Sequence, residues 1–221
     1  MTSQTAFVVK NATNNAVKVY LTLGATAGCV KTVADVSFVT NHTPKNPLQG
    51  WFSLPANSEV TYTSPSGVGF DGNFSFGSAP TNNPTDEYLS GVNLAEFIVN
   101  NSFQPGTPQE TIDISAVYGV NAHLRFSMSG GGTWNAGPLY PNVSAFENGK
   151  IEHNLGKVGV FPYGCTGCIS TTGFAPPSPL PLGAPKPPVT QAQPICNVQR
   201  DASAGGGTVT LIFLGFYPQP A

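Results

Sequence analysis

Short runs that alternate apolar and polar side chains, each ended by Gly, Pro, Asn or Ser, limit what this chain can fold into. Val17, Val19, Leu21 and Leu23 share one parity, while Lys18, Tyr20 and Thr22 take the other. That is the period-two pattern of a half-buried strand. Similar runs occupy 5–10, 50–54, 59–63, 69–76, 94–100, 110–115, 122–128 and 208–214. Turn clusters at 11–15 and 55–58 predict two hairpins, 5–10 with 17–23 and 50–54 with 59–63. With 25 Gly and 21 Pro in 221 residues, breakers recur too often for long helices. The stretch 129–204 differs in kind, with three Gly at 130–132, GCTGC at 164–168 and a Pro-rich run at 174–188. The predicted organisation is all-β: a sandwich core of 1–128 plus 205–221, with an irregular loop-rich lobe over 129–204.

Charge narrows the function classes. Only 9% of residues are charged and the formal net charge is -2. Nucleic acid calls for a basic stripe that neutralises phosphates, and none is present. No apolar run approaches the ~20 residues of a membrane-spanning helix. The opening MTSQTAFVVKN lacks the charged start and apolar centre of a signal peptide. The expected location is extracellular or secreted, with the signal outside this sequence. Glycosylation sequons begin at Asn11, Asn41, Asn73, Asn100 and Asn142.

Four cysteines, Cys29, Cys165, Cys168 and Cys196, allow three disulfide pairings. A zinc set of Cys165, Cys168, Cys196 and His153 ranks below disulfides, because only one CxxC is present and the spacing from His153 is arbitrary. No metal and no cofactor is expected: GxGxxG, a P-loop and HExxH are all missing. His42, His123 and His153 are too scattered for a Ser-His-Asp arrangement.

One charge stands out. Glu96 interrupts the apolar run Leu94-Ala-Glu-Phe-Ile-Val99. On a strand it sides with Leu94 and Ile98, opposite Ala95, Phe97 and Val99. It either blunts a solvent-facing edge or stands at the floor of a cleft with a partner. The candidate partner is Asp113, between Ile112 and Ile114. Two carboxyls raised from neighbouring strands are the minimal apparatus for glycoside hydrolysis, and they can equally bind sugar hydroxyls.

LAEF at 94–97, then IDIS at 112–115 and GVN at 119–121, resembles the thaumatin-like protein family. Residues 5–23, 52–67 and 208–218 are similar to that family's opening hairpin, its next hairpin and its closing strand. The resemblance implies a flattened β-sandwich, a disulfide-stapled lobe and an acidic cleft between them that binds or slowly cleaves β-1,3-glucans. The family's cleft holds an Arg, a Glu and three Asp. Glu96 and Asp113 match the Glu and the first Asp. Tyr118 stands where the next Asp would be, Asp201 approximates the last, and no Arg precedes LAEF.

Further candidates follow from position. Arg125, in the strand after GVN, is expected beside Asp113, holding it ionised. Trp134 and Tyr140 could form an aromatic platform for sugar rings, or Trp134 could cover the end of the sandwich. Trp51 reads as core. The leading function is binding of extracellular polysaccharide of the β-glucan type. A weak endo-β-1,3-glucanase using Glu96 and Asp113 is the first alternative, and a structural or self-assembling surface protein is the third.

Overall fold

The computed structural model describes residues 3–77, 92–101, 108–115, 121–136, 141–148, 160–161 and 197–216. Its strands are β1 (Ala6–Asn11), β2 (Val17–Leu23), β3 (Asn41–Thr43), β4 (Asn46–Leu54), β5 (Glu59–Tyr62), β6 (Phe70–Phe76) and β7 (Leu94–Val99), followed by β8 (Gln109–Ser115), β9 (Ala122–Ser129), β10 (Ala145–Glu147), β11 (Val160–Phe161), β12 (Val198–Asp201) and β13 (Thr208–Phe216). They form two sheets. One runs β10-β9-β13-β1-β5; the other runs β11-β8-β7-β6-β2-β4-β3, with β12 also paired to β8. Three short strands from the 129–204 stretch, β10, β11 and β12, are thus hydrogen-bonded into the sheets. No helix among the described residues is long and apolar enough to cross a membrane.

The alternating residues predicted to face inward on β2 and β9 do so, and three Phe of β6 join them. Val17, Val19, Leu21 and Leu23 of β2, Phe70, Phe74 and Phe76 of β6, and Leu124, Phe126 and Met128 of β9 are all buried. Phe7 of β1 lies at the centre, with ring centroids of Phe97, Phe74, Phe70 and Phe126 at 4.4–6.3 Å. Edge-on and offset contacts of this kind add to what the buried area alone supplies.

Neither predicted hairpin forms. β1 pairs with β13 and β5, while β2 pairs with β4 and β6. The turns after β1 and β4 therefore arch from one sheet to the other. Asn11 explains how. Its buried side-chain amide donates to the backbone oxygens of Asn15, Leu54 and Pro55, and its Oδ1 accepts from Thr13. One side chain thereby clamps both arches. Local alternation is identical in a hairpin and an arch, so parity alone does not separate them.

A polar knot joins the sheets at the opposite end of β1. Glu110 of β8 is 0% exposed and meets Arg200 of β12 at 2.6 Å. The Arg200 guanidinium also donates to Thr5 Oγ1 at 2.8 Å and to the backbone oxygens of Gly206, Gly130 and Gly132. Glu110 accepts in addition from Thr5 Oγ1 and from the Asn100 backbone N–H. Trp134, 3% exposed, lays its ring under the guanidinium at 4.4 Å. Nearly every valence of both charges is filled, the condition under which a buried ion pair is tolerated.

Removing the cation would strand Glu110. Arg200→Ala is expected to cost about 3–5 kcal/mol, read by urea unfolding. Arg200→Lys should restore only part, since one ammonium cannot span Glu110, Thr5 and three carbonyls. A loss below about 1 kcal/mol for Arg200→Ala would show that the knot does not hold the sheets.

Candidate functional site

The outer face of the larger sheet carries the site. On β7, Ala95, Phe97 and Val99 go into the core, which turns Glu96 outward. On β8, Ile112 and Ile114 go inward, which turns Asp113 outward. Glu96 and Asp113 are direct partners in the antiparallel register. Asn73 of β6 is the partner of Glu96 on its other side. The row continues through Thr22 of β2 to Gln49 of β4, whose amide donates to Thr22 Oγ1 at 3.2 Å. Four interstrand steps make a polar row of about 19 Å.

At one end of this row the surface dips into a groove of about 290 Å³. Glu96, Asp113, Asn73, Asp71, Thr111 and Ile98 are among its lining residues. Asp71, diagonal to Glu96 on the neighbouring strand, is a third carboxyl that the sequence reading passed over. It accepts from Thr26 Oγ1. Gly24 makes room for it: a Cβ there would stand 2.1 Å from Asp71 Oδ2. The phase of β6 is the signal for Asp71, because Phe70, Phe74 and Phe76 face inward and leave Asp71 and Asn73 on the outer face.

The electrostatics are those of crowded, poorly hydrated acids. Asp113 is 6% exposed. Burial raises its carboxyl well above the usual range, and the charge of Glu96 and a hydrogen bond with it raise it further. Glu96 is raised by burial, eased by its hydrogen bond with Asp113 and raised again by Asp71. Both carboxyls are thus pushed towards the protonated form, Asp113 more strongly than Glu96. Asp113 Oδ1 and Asn73 Oδ1 are buried with no hydrogen-bond partner. Asp71 is raised by burial, against the opposing effects of Thr26 and Lys31.

Several expected site residues lie elsewhere. Arg125 is exposed on β9, paired with Ile212 and Glu147 in the other sheet. The chain changes sheets between β8 and β9, so Arg125 is not a neighbour of Asp113. Trp134 is no platform: its ring is buried beneath Arg200. Asp201 ends β12 in register with Gln109, is exposed, and accepts from the Ser203 backbone N–H to cap a short 3-10 turn. It does not line the groove. Cys29 is a buried free thiol among the described residues, raised to about 11 chiefly by burial. Tyr118, Tyr140, Cys165, Cys168, Cys196 and His153 lie outside the described residues.

An aromatic surface does exist on this face, at a different place. Trp51, read from sequence as core, is partly exposed opposite Tyr20, one row along from Thr22 and Gln49. Lys18 Nζ lies 3.9 Å from the Trp51 ring centroid and 4.9 Å from that of Tyr20. The inward parity of Phe52 and Leu54 would have placed Trp51 outside. Among the described residues, no group of three His, Cys, Asp or Glu side chains is close enough to hold a metal ion.

The raised titration of the pair has a consequence for stability. A folded-state carboxyl that titrates above its unfolded value holds a proton that the unfolded chain releases. Stability is then full at low pH and falls as pH rises through the window above the ordinary carboxyl range. The Glu96–Asp113 pair should make the melting temperature higher near pH 5 than near pH 7.5. In Asp113→Asn that difference should shrink, with Glu96 and Asp71, both raised by burial, supplying what remains. An undiminished slope in the variant would separate the pair from the effect.

No protein-family model matches the chain, and no curated protein matches it. Among solved structures it is similar to the thaumatin-like xylanase inhibitor TLXI, at 10% identity over 94% of this chain and 98% of that one, with a TM-score of 0.40. It is also similar to the protein elicitor MoHrip2 from Magnaporthe oryzae, at 11% identity over 95% of this chain and 98% of that one, with a TM-score of 0.40.

Proposed function

We propose that this protein binds extracellular polysaccharide of the β-glucan type along the outer face of its larger sheet. Glu96 and Asp113 form the floor of the acidic end. The observation that carries this reading is the direct cross-strand pairing of Glu96 with Asp113 in an open groove. A row of polar side chains leads away from them, and Trp51 and Tyr20 flank it. Polar groups that orient hydroxyls beside an aromatic face suit a chain of sugar rings. The LAEF and IDIS segments, which resemble the thaumatin-like family, supply the β-glucan class.

Binding is better supported than hydrolysis. A retaining pair needs its carboxyls about 5–5.5 Å apart, and an inverting pair about 6.5–9.5 Å. Glu96 and Asp113 are instead direct cross-strand partners, with Cβ atoms about 4.5–5.5 Å apart. Standing side by side in one cross-strand row, they do not flank a bond from its two sides as an acid and a nucleophile must.

Titration calorimetry with laminarin, a β-1,3-glucan, tests the reading. Glu96→Ala should weaken binding by about 10–100-fold, the loss of a charge-assisted hydrogen bond. Trp51→Ala should also weaken it. No new reducing ends should appear on long incubation, in wild type or in Glu96→Gln. Unchanged affinity in both Ala variants would move the binding surface elsewhere; release of reducing ends that Glu96→Gln abolishes would make the protein an enzyme.

A further inference from the structure

The groove is rich in acceptors and poor in donors. Its lining includes the carboxyls of Asp71, Glu96 and Asp113, and it contains no Lys or Arg. The side-chain donors there are the Asn73 amide, the Thr111 hydroxyl and any carboxyl proton, held most strongly by Asp113. Two buried oxygens, Asp113 Oδ1 and Asn73 Oδ1, lack a partner on adjacent strands. Burying acceptors this way is costly, and it adds to the acceptor surplus of the site. Lys31, whose charge acts on Asp71, is tied outside the groove to the Thr26 backbone oxygen at 2.6 Å.

A sugar hydroxyl brings one donor together with further acceptor lone pairs. A primary ammonium brings three donors, no acceptor and a positive charge. It bonds carboxylate oxygens at about 2.7–2.9 Å, whereas hard metal ions need ligands gathered at about 2.0–2.6 Å. The three carboxyls come from three neighbouring strands and, among the described residues, make no metal cluster. Their spread suits the longer reach of N–H bonds.

We propose that the groove holds the protonated amine of an amino sugar, so that the polysaccharide recognised carries free glucosamine-type units. The proposal rests on the polysaccharide reading above and specifies what its acidic end takes. Asp71 and Glu96 supply the charge. Both are part-exposed, and their carboxylate oxygens accept the ammonium hydrogens. N-acetylation would abolish recognition here, since an amide carries no charge and adds an acceptor where the groove already has a surplus.

The test is titration calorimetry near pH 6, where the amine is protonated, with three oligosaccharides of equal length: β-1,4-glucosamine, its fully N-acetylated form, and β-1,3-glucose. The glucosamine oligomer is expected to bind at least about tenfold tighter than the other two. That preference should vanish in Asp71→Asn and in Glu96→Gln, two independent variants in case one fails to fold. It should persist in Glu59→Gln, whose carboxylate is exposed on the other sheet beside Lys10. If the glucose oligomer binds as tightly as the amine, the proposal falls while the polysaccharide reading stands. If Glu59→Gln loses as much preference as Asp71→Asn, general charge attraction replaces the groove and the proposal falls. If none of the three binds, the polysaccharide reading itself falls, and this inference with it.

Discussion

The buried contact between Arg200 and Glu110 sets the register on which the rest of the molecule depends. Glu110 shares its parity on β8 with Ile112 and Ile114. Its inward direction is affordable only because Arg200, its partner in the β8–β12 register, points the same way. A slip of one residue would expose Glu110, bury Asp113 in the apolar interior and leave Arg200 without a counter-charge. The knot also gathers Thr5 before β1, Gly130 and Gly132 after β9, and Gly206 before β13. Both sheets are thereby fixed to one point. The outward direction of Asp113, and with it the groove, follows from an ion pair on the opposite side of the same strand.

What the sequence revealed, and what it did not, divides along a physical line. Parity within a strand is local, so the inward faces of β2, β6, β7 and β9 were legible, as was the sharing of a face by Glu96 and Leu94. Parity read through would also have exposed Trp51, since Phe52 and Leu54 bracket the opposite phase. It would have flagged Glu110 as a charge in step with two isoleucines. Which sheet a strand joins is not local. The arches after β1 and β4 depend on where the Asn11 amide finds carbonyls, two of them more than forty residues away. Arg125 was misplaced for the same reason: adjacency in sequence said nothing about the crossing between β8 and β9. Trp134 became a covering residue because Arg200, far along the chain, needed a surface to lie on.

β8 holds two buried carboxyls in opposite circumstances. Glu110 has a guanidinium, a hydroxyl and a backbone N–H around it, so its burial stabilises the fold. Asp113 faces another acid across the strand gap, with Asp71 nearby and a buried oxygen unpaired. A chain selected for stability alone would place Asn or Thr there. Strain of this sort persists where the surrounding structure is strong enough to impose it. Here the support is immediate, because the Glu110 knot anchors the strand that carries Asp113. On the proposed reading, a ligand that brings hydrogen-bond donors meets a surface with acceptors in excess. That is why the chemistry of the ligand is constrained by what the groove lacks more than by what it contains.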